Sequence, residues 1–121
     1  MQIRTFVETV AIPEIATRRA EIETACFAQQ ESASLLRLQT LAGIVCVKRA
    51  VKAALASRTA LAVVDEKDIV IGHDGQGAPI ILELPAAACF RGKGHTLCIS
   101  LSHTKNHACG CAVIEQEPDN A

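Results

Sequence analysis

Tryptophan and tyrosine are absent, and phenylalanine occurs three times in 121 residues. Such a chain has little with which to stack single-stranded nucleic acid. Half of its residues are hydrophobic, so the core has to be assembled from Ala, Val, Ile and Leu, with cysteine as a small filler. Charge of one sign is lacking too. The formal net charge is −1, which gives no electrostatic reason to expect DNA, RNA or an anionic membrane as a partner. No apolar run approaches the roughly 20 residues that span a bilayer, and the opening MQIRTFVETVAIPEI, with Arg4 and Glu8, does not read as a secretion signal. A cytoplasmic location is therefore expected. There the six cysteines (Cys26, Cys46, Cys89, Cys98, Cys109, Cys111) stay reduced, and buried free thiols are the default expectation. Repeats and low-complexity segments are missing, the length suits one domain over residues 1–121, and residues 118–121 read as a frayed end.

The pattern along the chain predicts helices first and an antiparallel sheet second, an α+β arrangement. The first ten residues are compatible with a short strand. Residues 14–37 favour helix, as one element or as two broken near Ser32 to Ser34, where polar side chains compete for backbone hydrogen bonds. The strongest helical signal covers residues 35–58, with Ile44, Val47, Val51 and Leu55 at spacings of three and four. Leu41, Val45 and Ala54 put apolar groups on other faces, which implies a helix enclosed by its neighbours. Its cations cluster: Lys48 and Lys52 are four apart, with Arg49 beside them. Beyond it, residues 68–73 and 78–84 flank Asp74-Gly75-Gln76-Gly77, and residues 95–102 and 107–115 flank Thr104-Lys105-Asn106. Both read as hairpins, with the long helix packed across a sheet.

Residues 99–115, ISLSHTKNHACGCAVIE, place Ser100, Ser102, His103, Thr104 and Lys105 near a strand end. Such a group can donate several hydrogen bonds to one phosphate, although Ser and Thr also simply favour turns. The run Ser-Leu-Ser-His-Thr-Lys, the Gly77-Ala78-Pro79 hairpin, the Leu41-Ala42-Gly43 to Lys48 opening of the long helix, and Phe27 with Glu31 occur in order at matching spacing. Together they resemble the holo-acyl-carrier-protein synthases, a class of 4′-phosphopantetheinyl transferase. The resemblance covers residues 27–115 and weakens before them.

The resemblance implies transfer of the phosphopantetheine arm of coenzyme A to a serine of an acyl carrier protein, in the setting of fatty acid biosynthesis. It implies a homotrimer with sites between subunits, and Mg²⁺ held by an Asp on the first strand and a Glu on the long helix. Carried over residue by residue, Lys48, Gly77, Pro79, Ser102, His103, Thr104 and Lys105 fall at coenzyme-binding positions, and Lys52, beside such a position, is a further coenzyme-binding candidate. Glu8 and Arg49 fall at the catalytic metal pair, with Glu8 the remaining acidic ligand. A register shifted by three would put Ala11 there instead. The helix glutamate is thus replaced by Arg49, and a second family lysine falls at Ala53, one residue from Lys52. An arginine about 4 Å from a divalent cation would repel it by roughly 8 kcal/mol at an effective dielectric of 20. Arg49 can rotate outward, or it can bind pyrophosphate directly through its fork of donors. The alternative function is an inactive homologue that retains coenzyme or carrier binding.

Two further patterns have plainer readings. His103, His107, Cys109 and Cys111 are zinc-ligand types, but their spacing matches no familiar zinc motif. Asp65-Glu66-Lys67-Asp68 reads as a solvated turn.

Overall fold

The computed structural model describes residues 2–57, 65–84 and 95–116. Cys89, the Arg58 end of the helical pattern and the frayed end expected at 118–121 lie outside them. The first strand, β1 (Gln2–Ala11), is longer than the short one expected, because it pairs with β5 (His107–Gln116) along its whole length, from Gln2 opposite Gln116 to Ala11 opposite His107. Its alternation is unclear in sequence because both faces carry apolar groups: Phe6 and Val10 pack on the core, while Ile3 and Val7 point the other way and are exposed.

Pro13 then opens α1 (Ile12–Thr17), at a position where a missing N–H is tolerated. The backbone breaks at Arg18, and α2 (Arg19–Cys26) follows, so residues 14–37 hold two short helices. The break between the helices thus falls at Arg18 and not near Ser32 to Ser34, where Ser32, at φ 49°, separates two 3₁₀ turns instead. Leu36 and Arg37 are extended, so α3 (Leu38–Ala56) starts three residues inside the periodic pattern. The stripe Ile44, Val47, Val51 and Leu55 is buried, and so are Leu41, Val45 and Ala54.

Two antiparallel hairpins complete the fold: β2 (Val70–His73) with β3 (Pro79–Glu83), and β4 (His95–His103) with β5. The larger sheet has the order β1-β5-β4, and α3 lies across one of its faces. Gly43 meets Leu101 on β4, and Cys46 and Val47 meet Gly110 on β5, where a Cβ would fall 2.3 Å from the Val47 backbone nitrogen. Leu101, Gly110 and Glu8 are directly opposed across the three strands. A helix rising about 1.5 Å per residue, crossing strands about 4.8 Å apart, meets the next strand some three residues on. The next turn of α3, at Arg49 and Ala50, therefore passes over β1 near Glu8, and both Arg49 and Glu8 act on the Cys46 thiol.

Candidate functional site

The β4–β5 turn is held by its own backbone. Thr104 N–H donates to the His107 carbonyl at 2.8 Å, and the Thr104 hydroxyl accepts from His107 N–H at 3.2 Å. Ile12 N–H donates to the Asn106 carbonyl at 2.8 Å, so the start of α1 is tied to the same turn. A cavity of about 290 Å³ opens here, lined among others by Thr9, Ser102, His103, Thr104, His107 and Cys109. Ser102, His103 and Thr104 were expected at the coenzyme, while His107 and Cys109 were noted only as zinc-ligand types. Thr9, His107 and Cys109 enter through strand register: Thr9 and Ser102 both oppose Cys109, on the face away from α3. Lys105 is exposed in the turn itself.

Gly77 and Pro79 sit on the other hairpin and do not line this cavity. Gly77 has φ 85°, a conformation that favours glycine, and it closes a turn in which Asp74 Oδ1 accepts from Gln76 N–H and Ala78 N–H.

Lys48 does not fit its expected role as a coenzyme contact. Its side chain is 0% exposed, and its ammonium donates to Glu31 Oε1 at 2.5 Å, Cys26 O at 2.8 Å and Glu66 O at 3.2 Å, 4.5 Å from the centre of the Phe27 ring. Glu31 also accepts from Ala28 N–H and Ile71 N–H. Burial pushes the Lys48 pKa down, and Glu31 works against that. An ammonium so enclosed joins α3 to the end of α2 and to two 3₁₀ turns, and has no face left for a phosphate. The Phe27 and Glu31 segment thus supplies a ring and a carboxylate to this lysine.

Arg49, the next residue, points elsewhere. Its Nε lies 3.8 Å from Glu66 Oε1, with 35% of the arginine side chain exposed. Glu66 Oε2 accepts from the Cys26 thiol at 3.0 Å. Residues 65–68 are therefore not merely a solvated turn, because Glu66 is half-buried and engaged by α2 and α3. The acidic run looked like surface in sequence because its partners lie 17 and 40 positions away. Burial, followed by the Glu66 hydrogen bond, pushes the Cys26 thiol up to about 11. Burial likewise raises Cys46 to about 11, with Arg49 lowering and Glu8 raising it, so both charges reach the same thiol. The expectation of buried cysteines holds for these two, whereas Cys98 is exposed and Cys109 and Cys111 are half-buried on the outer sheet face.

Glu8 is half-buried on the sheet face that carries α3, and has no ion-pair partner among the described residues. Lys52, one turn beyond Lys48, is half-buried and likewise unpaired among them. Ala11, the alternative to Glu8, lies at the end of β1 opposite His107. The donor set does not fit the divalent cation implied by the family resemblance. A hard cation needs several oxygen ligands, and here Glu8 is the carboxylate on the sheet face under α3 while the helix position matched to the second ligand carries Arg49. No group of three or more His, Cys, Asp or Glu side chains converges as metal ligands among the described residues, the His103 to Cys111 set included.

The chain has the fold of the holo-acyl-carrier-protein synthases. The acyl carrier protein synthase of Mycobacterium tuberculosis superposes with TM-score 0.70 at 26% identity, over 93% of this chain and 96% of that one. An ACPS–CoA complex from Chronobacterium ammoniagenes gives TM-score 0.76 at 20% identity, over 98% and 100%. The Helicobacter pylori holo-[acyl-carrier-protein] synthase in complex with coenzyme A gives 0.74 at 19%, over 93% and 100%. No protein-family model and no curated protein sequence matches the chain.

Proposed function

We propose that the chain is a divergent holo-acyl-carrier-protein synthase, a single-domain protein of the cytoplasm that binds coenzyme A at the β4–β5 turn. It moves the 4′-phosphopantetheine arm to a serine of an acyl carrier protein. The observation that carries this reading is a coincidence of two features. A fold shared end to end with coenzyme-bound neighbours also places Ser102, His103 and Thr104 around an open cavity at a strand end. In the reaction the carrier's serine oxygen attacks the phosphorus next to pantetheine. The bridging P–O bond breaks, adenosine 3′,5′-bisphosphate leaves, and the serine proton passes to a base. The chain supplies no nucleophile. Its work is to hold the phosphates in line and to neutralise the charge that grows on the leaving group. His103 lines the cavity and Lys105 stands in the β4–β5 turn, while Arg49 and Lys52 on α3 do not line it and, with Glu8, are the groups that the family resemblance brings to the same site.

Gly77 and Pro79 contribute to the same site only if it is completed by a neighbouring subunit, as the family resemblance implies. The sheet favours such an assembly. Its outer face carries Ile3 and Val7, 60% and 56% exposed, next to Cys111 and Val113. A second and third copy of the chain would cover these exposed apolar groups. Light scattering should give a trimer at micromolar concentration, and a concentration-independent monomer removes the shared site.

Arg49 at the metal position favours the second reading, an inactive homologue that keeps coenzyme or carrier binding. Both readings require coenzyme to bind. Calorimetric titration should show binding that weakens about tenfold in His103→Ala, with an unchanged urea midpoint. Equal affinities for the two proteins would remove His103 from the site.

A further inference from the structure

We infer that this chain has exchanged a metal-dependent phosphate site for a metal-free one, in which Arg49, aligned by Glu66, takes the coenzyme's pyrophosphate directly. The inference rests on the coenzyme-binding reading above and goes further, because it replaces a cofactor by a residue. Three observations support it.

Among the described residues no three His, Cys, Asp or Glu side chains converge as metal ligands, Glu8 included, and the helix position where the family resemblance implies a second carboxylate carries Arg49. Arg49 is also not a cation consumed by the protein's own structure. The pair with Glu66 is loose at 3.8 Å, and the guanidinium makes no hydrogen bond to protein among the described residues. Its donors stay available for a planar, two-point contact with phosphate oxygens. Lastly, Glu66 is itself anchored. One carboxylate oxygen accepts from the Cys26 thiol and its backbone carbonyl accepts from buried Lys48. The carboxylate that faces Arg49 is thus fixed from behind, and it orients the fork without saturating it. Lys52, three residues along the same helix, adds a second unpaired cation. In this arrangement the charge on the leaving phosphate is met by a guanidinium.

Two titrations test the inference. In the first, Mn²⁺ is followed by water-proton relaxation. The wild-type chain should show no bound ion at millimolar Mn²⁺, and Arg49→Glu, which puts a carboxylate opposite Glu8, should gain one. In the second, coenzyme A is titrated with chelator and with Mg²⁺. Wild-type affinity should agree within about twofold between the two, Arg49→Gln should lose about tenfold in both, and Glu66→Gln about threefold. Arg49→Lys should recover only part of the loss, since a point charge replaces the fork. Arg49→Glu should bind coenzyme only with Mg²⁺ present. Wild-type affinity that collapses in chelator, or Mn²⁺ bound by the wild-type chain, overturns the inference and leaves the coenzyme reading standing. Coenzyme that binds under neither condition removes both. A folded Arg49→Glu that gains no Mn²⁺ overturns the placement of Glu8 opposite position 49.

Discussion

The seam between α3 and the sheet holds two glycines whose replacement by alanine should have opposite outcomes. At Gly43 the added methyl meets Leu101 Cδ1 at 3.1 Å, the far end of a flexible side chain that can turn aside. Against that small strain stands the helix preference for alanine, about 1 kcal/mol in an interior position. Gly43→Ala is therefore expected to lie within about 1 kcal/mol of wild type. At Gly110 the methyl would fall 2.3 Å from Val47 N, 2.5 Å from Cys46 C and 2.7 Å from Cys46 Cβ. Two of these atoms belong to the helix backbone, which has no rotamer to change. The helix must lift by roughly an ångström, and the dispersion contacts along the seam weaken with it. A loss of about 3 kcal/mol or more follows, at the upper end for an overpacked core. Urea unfolding at fixed protein concentration measures both. With a slope of about 1–3 kcal/mol per molar, Gly110→Ala should move the midpoint down by one molar or more. Because Glu8, Gly110 and Leu101 share a row, the same variant should also weaken coenzyme A binding. A Gly110→Ala protein as stable as wild type would refute the seating of α3, and with it the approach of position 49 to Glu8.

Lys48→Met should cost about 3–5 kcal/mol, because Glu31 is left as an unpaired buried carboxylate. The folded fraction should keep its coenzyme affinity, and a stable variant that lost coenzyme would restore Lys48 as a ligand contact. The buried thiol of Cys46 makes a pH prediction with a definite sign. It titrates near 11 in the folded chain and near 9 unfolded, so between these values the unfolded chain gives up its proton first. Wild type should therefore lose, relative to Cys46→Ala, on the order of 2 kcal/mol as pH rises from 9 to 11. A pH-independent difference would mean that the thiol is not buried.

What the sequence made legible follows from the range of the interactions. The α3 stripe and both hairpins show in local spacing and in turn residues, and they stand where the pattern placed them. The length of β1 was not legible, because its pairing with β5 joins residues a hundred positions apart and its outer face is apolar. Lys48 was assigned to the coenzyme by carry-over from the family resemblance, and nothing local in the sequence shows that it is buried. Only the fold shows that Glu31, Cys26 and Glu66 converge on it. The same distance hid Glu66 behind Arg49. At the site, Ser102, His103 and Thr104 stood out as a local cluster, whereas Thr9 and Cys109 join them only through cross-strand register.

The central claim, a phosphopantetheinyl transferase framework whose phosphate site works without a metal, is tested most directly by one mass measurement. Apo acyl carrier protein is incubated with coenzyme A and the chain in the presence of chelator, and the carrier's intact mass is followed. The account predicts that the phosphopantetheine arm appears on the carrier, at a rate that added Mg²⁺ does not raise. An arm that appears only with Mg²⁺, or no arm under either condition from a folded trimer, would contradict it.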